Sequence, residues 1–270
     1  MANQFRAVIS DLDGTLLNHK QHIGDFTVKT VERLAKKGLD IFIATGRSFV
    51  DVKQLMKNCS LEEAILVTSN GARASTLTGQ LLYSNYIPED IVNELFRLPF
   101  ERTRVCLNSY QGDEWFINVD VAALRQYYEH SGFMYNVVNF ERHHTNQAEK
   151  LFFIAQTIDD LLPIEQKIKQ LFANQLQLTY SSPQCLEIMN YGVCKANTLS
   201  TLMNNKGYNL AHCIAFGDGL NDIEMLTQAG RGCIMENADP RLKQALPSNE
   251  IIGNHKDEAV AYYLCKEFEL

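Results

Sequence analysis

Asp11 and Asp13 stand one residue apart, directly after the apolar run Phe5-Arg6-Ala7-Val8-Ile9-Ser10. That run reads as a buried strand, and strand side chains alternate with period two. Both carboxylates are therefore predicted to leave the strand end on one face, with Leu12 opposite. Two like charges held so close repel unless a cation, a proton or a particular task separates them. Phosphoryl transfer through a carboxylate nucleophile has that requirement. It also demands a metal ion and donors for a phosphate, which the rest of the chain must supply.

Further polar clusters recur at comparable places. Thr45-Gly46-Arg47 follows the strand-like Leu39–Ala44, and Ser69-Asn70-Gly71 follows Ala64–Thr68. Gly217-Asp218-Gly219-Leu220-Asn221-Asp222 follows His212–Phe216, and Lys195 opens a helix-like segment. Between the first strands, residues 24–37 put Val28, Val31, Leu34 and Ala35 on one helical face, with Gly38 as a stop. A short helix carries Phe49, Val52, Leu55 and Met56. After Lys195 come a helix through Leu199 and Leu202, helix 223–229 stopped by Gly230, strand 232–235 and a closing helix from about Glu258. Strands alternating with amphipathic helices predict an α/β fold, a doubly wound parallel sheet with helices on both faces. Ligands on such sheets bind beyond the carboxyl ends of the strands, where these clusters fall.

The rhythm changes in the middle of the chain. Thr78-Gly79-Gln80 reads as a hairpin turn and Pro88 as the first position of a helix. Strands are predicted at 103–107, 114–119, 151–155, 176–181 and 185–189, with helices near 120–131 and 159–172. This is an α+β insertion. The expected division is a core from 1–83 and 191–270, interrupted by a cap over 84–190.

Composition excludes several classes. The chain has 270 residues, 46% hydrophobic and 21% charged, which suits a globular fold. No apolar run is long enough to span a bilayer, and charge interrupts the amino-terminal residues at once, so no membrane association and a cytoplasmic location are expected. The seven cysteines form no C-x-x-C pair and several lie in apolar runs, which predicts buried free thiols. A net charge of -7 without a basic stripe argues against nucleic acid as partner.

Taken in order, D-x-D-G-T (11–15), A-T-G-R (44–47), S-N-G-A (69–72), G-V-x-K (192–195) and G-D-G-x-N-D (217–222) make the chain similar to haloacid dehalogenase (HAD) superfamily phosphatases of the Cof type. The similarity runs over essentially the whole chain, cap included. It implies a Rossmann-like core with an inserted α+β cap and hydrolysis of small phosphate esters. Asp11 is then the nucleophile, forming an aspartyl-phosphate, and Asp13 the acid that protonates the leaving alkoxide and then activates water. Magnesium is the natural ion, because it prefers oxygen ligands and shares them with phosphate. The resemblance assigns it the Asp11 side chain, the Asp13 backbone carbonyl and Asp218, with Asp222 orienting ligands. Thr45, the amides of Leu12 and Gly46, and Lys195 are the expected phosphate donors, and Asn221 is expected to orient Lys195 or touch the phosphate. Arg47 and Asn70 are expected to reach the rest of the substrate.

Each motif also has a purely structural interpretation. D-x-D-G-T can be a surface turn, Asp218 and Asp222 can serve a helix start, Lys195 can be solvated, and Thr45 can cap a turn. Together those accounts require every strand end to be polar by accident. A dinucleotide site fails at Asp222, which stands where that fingerprint needs its third glycine. His143-His144 is expected to be a solvated loop, and Trp115 and Phe116 to be cap core. The alternatives to a phosphatase are a phosphotransferase or phosphomutase of the same chemistry, and a catalytically silent phosphometabolite sensor. Dehalogenases lack the second aspartate, and ion-pumping ATPases have lysine there. The resembled subfamily acts on sugar phosphates, pyridoxal 5′-phosphate and flavin mononucleotide. Segments 68–73 and 113–116 are similar to a branch associated with pyridoxal phosphate.

Overall fold

A computed structural model describes residues 5–57, 59, 61, 64–129, 132–145 and 147–270. The polar amino-terminal residues 1–4 lie outside the described residues. So do residues 130 and 131 of the predicted helix 120–131.

The chain begins β1 (Ala7–Ser10), α1 (Asp25–Lys36), β2 (Asp40–Ala44), α2 (Phe49–Leu55) and β3 (Ile65–Thr68). The hairpin β4 (Arg73–Thr76) and β5 (Leu81–Ser84) leads to α3 (Glu89–Phe96). Next come β6 (Val105–Gln111), β7 (Glu114–Ile117), α4 (Ala122–Tyr127), β8 (Asn136–Val137), β9 (Ala148–Ala155), α5 (Leu162–Leu171), β10 (Leu176–Ser182) and β11 (Cys185–Asn190). The chain closes with α6 (Lys195–Asn205), β12 (Cys213–Gly217), α7 (Ile223–Gln228), β13 (Arg231–Ile234), α8 (Pro240–Ala245), β14 (Glu250–Ile251) and α9 (Ala259–Glu267).

Eight strands form the first sheet in the order β14-β13-β12-β1-β2-β3-β4-β5. Pairing is parallel from β14 to β3, and the hairpin adds two antiparallel strands at the edge. β1 is central, pairing Ala7 with both Cys213 and Asp40. Strand order runs outward from β1 in both directions, so a switch point lies between β1 and β12, and a cleft opens at their carboxyl ends. β1 is buried at every position, which explains its unbroken apolar run. α1 buries Thr27, Thr30, Val31 and Leu34, with Thr27 donating to Glu258 and Thr30 lying against Cys265 of α9.

The second sheet, β10-β11-β9-β6-β7-β8, is built from residues 105–190 and is antiparallel except for β7 with β8. One face carries Leu107, Leu151, Phe153, Leu186 and Ile188 against Val92 and Leu95 of α3 and Ile164 and Ile168 of α5. The other face carries Cys106, Tyr110, Trp115 and Phe152.

Several expectations change, among them the start of β9, which lies at Ala148 instead of Leu151. β6 continues to Gln111 instead of ending at Leu107. Its polar stretch Asn108-Ser109-Tyr110 looked like strand exit, but it is paired on both sides, and Asn108 Oδ1 accepts from Trp115 Nε1 at 3.0 Å. His143 is not a solvated loop residue, since its ring packs near Phe116 and Phe140. The short α8 was not predicted, although Asp239 caps it and Pro240 occupies its first turn.

All seven cysteines are free, and Cys59, Cys106, Cys213 and Cys233 are buried. Among the described residues no helix is long and apolar enough to cross a membrane.

Candidate active site

β1 delivers Asp11 to the cleft, its amide still held by the Phe216 carbonyl at 2.9 Å. Asp11 and Asp13 are extended but Leu12 between them is helical, and the chain then turns at Gly14, where φ is +70°. A side chain at Gly14 is excluded twice. The backbone lies in the left-handed region, and a Cβ would come within 2.3 Å of Asp218 Oδ2. The turn thus brings Thr15 back, and its hydroxyl donates to Asp218 Oδ1 at 2.8 Å. Asn237 steadies the same turn by donating to the Gly14 carbonyl at 2.7 Å. No motif pointed to Asn237.

The two aspartates do not share a partner. Asp11 Oδ1 accepts from Lys195 Nζ at 2.6 Å, whereas Asp13 turns to the Arg47 guanidinium. Lys195, at the start of α6, is fully buried and also donates to Asp222 Oδ1 at 2.7 Å. Asp222 Oδ2 accepts the backbone amides of Asp218 and Gly219. Both Asp222 oxygens are therefore engaged, which gives it an orienting position. Asp11 and Asp218 each have one oxygen held by a side-chain donor.

Carboxylate oxygens of Asp11, Asp218 and Asp222 lie within 4.8 Å of one another. Lys195 is the ammonium among them, so there are three carboxyl groups to one cation, and their full ionisation would leave two negative charges in excess. Burial pushes the Asp11 carboxyl well above its usual range, Asp222 and Asp218 push it further, and Lys195 opposes them. Asp218 is pushed up to about 7, by burial first and then by Asp222. Burial would lower Lys195, but Asp11 and Asp222 hold its ammonium above the ordinary lysine range. An all-oxygen donor set with excess negative charge fits a hard divalent cation.

The phosphate-facing candidates surround this cluster. Thr45, Gly46 and Asn221 border the same cavity as Asp11, Asp13 and Asp218. Thr45 Oγ1 accepts the Arg47 amide at 3.2 Å, which leaves its hydroxyl proton to point at an anion. Leu12 is fully buried and does not border the cavity. Asn221 donates to Asn70 Oδ1 at 3.0 Å instead of orienting Lys195. Arg47 borders the cavity, and its donors go to Asp13, to Asp51 at 2.8 Å and to Gln21 at 3.0 Å. Asn70 is likewise engaged, donating to Glu187.

The cavity has a volume of about 420 Å³ and is roofed by the second sheet. Tyr110, Trp115, Tyr128 and Phe152 give it an aromatic wall, and Lys150, Cys185 and Glu187 add polar groups. Trp115 belongs to the cap core and to this wall at once, whereas Phe116 packs toward His143. The sequence did contain a signal for Glu187, a charge inside the otherwise apolar Leu186–Met189, whereas Lys150 only precedes the apolar run Leu151–Ala155.

Known proteins match along the whole length. The chain is 49% identical over 266 residues to a Haemophilus influenzae protein provisionally named a phosphatase, covering 98% of both. It is 33% identical to a protein named HMP-PP phosphatase from Escherichia coli (strain K12), covering 96% of this chain and 94% of that one. A solved haloacid dehalogenase-like hydrolase from Bacteroides thetaiotaomicron superposes with a TM-score of 0.84 at 25% identity, covering 97% and 99% of the two chains. A Streptococcus mutans structure shares the fold at a TM-score of 0.87 with 19% identity, covering 98% and 100%. The profile of the haloacid dehalogenase-like hydrolases matches residues 8–264, and the chain belongs to that family.

Proposed function

We propose that this hydrolase is a magnesium-dependent phosphatase that removes phosphate from small phosphorylated metabolites through an aspartyl-phosphate on Asp11. The observation that carries the reading is the cluster of Asp11, Asp218 and Asp222 around Lys195, three carboxyl groups to one ammonium, beside a cavity.

Asp11, Asp218 and the Asp13 backbone carbonyl would hold the ion. When bound, it neutralises carboxylate charge and polarises a phosphate oxygen. Lys195 keeps Asp11 Oδ1 fixed, so the other oxygen is presented to phosphorus. Thr45, the Leu12 and Gly46 amides, Lys195 and Asn221 donate to the phosphoryl oxygens, whose charge spreads in the transition state. Asp13 protonates the leaving oxygen and afterwards takes a proton from the attacking water. Asp222 holds Lys195 and the Asp218 backbone in register.

In this reading residues 84–190 act as the cap and select the substrate. The aromatic wall favours a flat, ring-bearing ester over an open-chain one, which supports pyridoxal 5′-phosphate ahead of sugar phosphates. A phosphate-release screen of sugar phosphates, pyridoxal 5′-phosphate and HMP-PP, ranked by kcat/KM, tests this. Release from none of them would defeat the reading. Transfer to an acceptor hydroxyl in preference to water would convert it to a phosphotransferase.

A further inference from the structure

The second sheet carries a buried ion pair that the chemistry above does not use. Lys150 on β9 and Glu187 on β11 project from the face that looks onto the first sheet. In the strand register Lys150 lies opposite Tyr110, and Glu187 lies opposite Phe152. Lys150 is 2% exposed and Glu187 4%, an environment charged side chains occupy only when paired. Lys150 Nζ lies 2.7 Å from Glu187 Oε1, with the Tyr110 and Phe152 ring centres 5.1 and 4.9 Å from the ammonium.

Both partners also reach across to the first sheet. Lys150 Nζ donates to the Gly46 carbonyl at 2.7 Å. Glu187 Oε2 accepts from Asn70 Nδ2, and Asn70 Oδ1 accepts from Asn221 Nδ2 at 3.0 Å. One chain of hydrogen bonds thus joins Gly46, Lys150, Glu187, Asn70 and Asn221. The turn that carries Asn70 is strained, with Ser69, Asn70 and Gly71 at φ of +50°, +57° and +105°. Consecutive left-handed residues persist only where surrounding bonds hold them, and such strain gathers at functional sites.

We propose that Lys150 and Glu187 are positioning residues that lock the phosphate cradle when the cap is seated. The pair holds the Gly46 carbonyl, one peptide unit beyond the Gly46 amide, and through Asn70 it reaches both Asn221 and the Thr45 carbonyl, which accepts the Asn70 amide at 3.0 Å. Lifting the cap would strip Glu187 and the Gly46 carbonyl of these partners, so order in the cradle is conditional on closure. This inference rests on the phosphatase reading of the same site.

The test compares wild type with Lys150→Met, Glu187→Gln and the double variant. Kinetics are measured on a bulky ester, p-nitrophenyl phosphate, and a small one, glycerol 1-phosphate. Binding of inorganic phosphate is read from the fluorescence of Trp115, the single tryptophan, which borders the cavity. Each single variant is expected to lose about tenfold to a hundredfold in kcat on both esters, as small misplacements of reacting groups do. Phosphate affinity should fall about tenfold, a displacement of similar size. The double variant leaves neither charge unpaired, so it should regain thermal stability while kcat stays low. Recovery of kcat together with stability would make the pair merely structural and overturn the proposal. Loss confined to the bulky ester would also overturn it, by making the pair a direct substrate contact. Should wild type cleave no ester, the phosphatase reading fails separately. The phosphate titration then decides alone, with weaker binding in the variants upholding the proposal and equal binding overturning it.

Discussion

Arg47 grips the carboxylate of Asp13 with two hydrogen bonds, Nε to Oδ2 at 2.7 Å and Nη2 to Oδ1 at 2.6 Å. Such a planar fork fixes a carboxylate in direction as well as distance. Arg47 is itself anchored by Asp51, which is fully buried. The proposed proton carrier is thus held in its ionised form by a residue that the sequence had assigned to the substrate, and it has to free one oxygen from the fork to take up a proton.

Replacing that fork tests its role. Lys at position 47 keeps a positive charge but cannot make a bidentate pair. Arg47→Lys is expected to lower kcat by about tenfold to a hundredfold with a smaller change in KM. Arg47→Ala additionally leaves Asp51 as a buried charge without this partner, at a cost on the order of 3–5 kcal/mol. Steady-state kinetics and thermal denaturation separate the two effects, and unchanged kcat in Arg47→Lys would show that Asp13 needs no fork.

Asp11→Asn should abolish turnover while the fold survives. An amide is no nucleophile toward phosphorus, and losing such a group costs at least about 10⁴-fold. Stability should not fall, because burial already disfavours the charged form of Asp11 and Lys195 retains Asp222. Quantitative phosphate release and a melting curve suffice, and turnover like that of wild type would remove Asp11 from its role.

Metal removal should act on stability and activity together. Chelation is expected to eliminate phosphate release, with restoration by Mg²⁺. Adding the ion to the stripped protein should raise its melting temperature, since a ligand bound only to the folded state stabilises it. Asp218→Asn removes one proposed ligand and should erase most of that increment. Activity that survives exhaustive chelation would refute the metal assignment.

Glu149 gives the stability a pH dependence. It is buried, accepts from Ser69 at 2.6 Å and Arg73 at 3.3 Å, and also feels Asp113. Burial raises its carboxyl above the usual 4.5, against the opposing pull of Ser69 and Arg73. The folded state thus binds the proton more tightly than the unfolded chain. Its contribution is fully present below about pH 4.5 and is lost as pH rises through the folded value. Glu149→Gln should flatten the fall in stability above pH 4.5, measured by denaturant unfolding across pH. An unchanged slope would show that Glu149 does not titrate in this way.

The sequence by itself determined the alternation of strands and helices, and with it the carboxyl-end location of Asp11, Thr45, Asn70 and Asp218. Those features follow from local periodicity, since a buried parallel strand must be apolar and its first polar residues mark its exit. The α+β character of residues 103–190 was visible too, though β6 was cut short, because the pairing that satisfies Asn108 comes from strands distant in sequence.

Only the tertiary structure decided which partner each charge takes. Asp11 and Asp13 leave the same strand, yet one meets Lys195 and the other Arg47, 184 and 34 residues away. Lys150 and Glu187 gain meaning only when the cap sheet faces Gly46 and Asn70, across separations of 104 and 117 residues. Strand alternation puts a charge on one of two faces, but what lies opposite that face is set by how the two sheets pack.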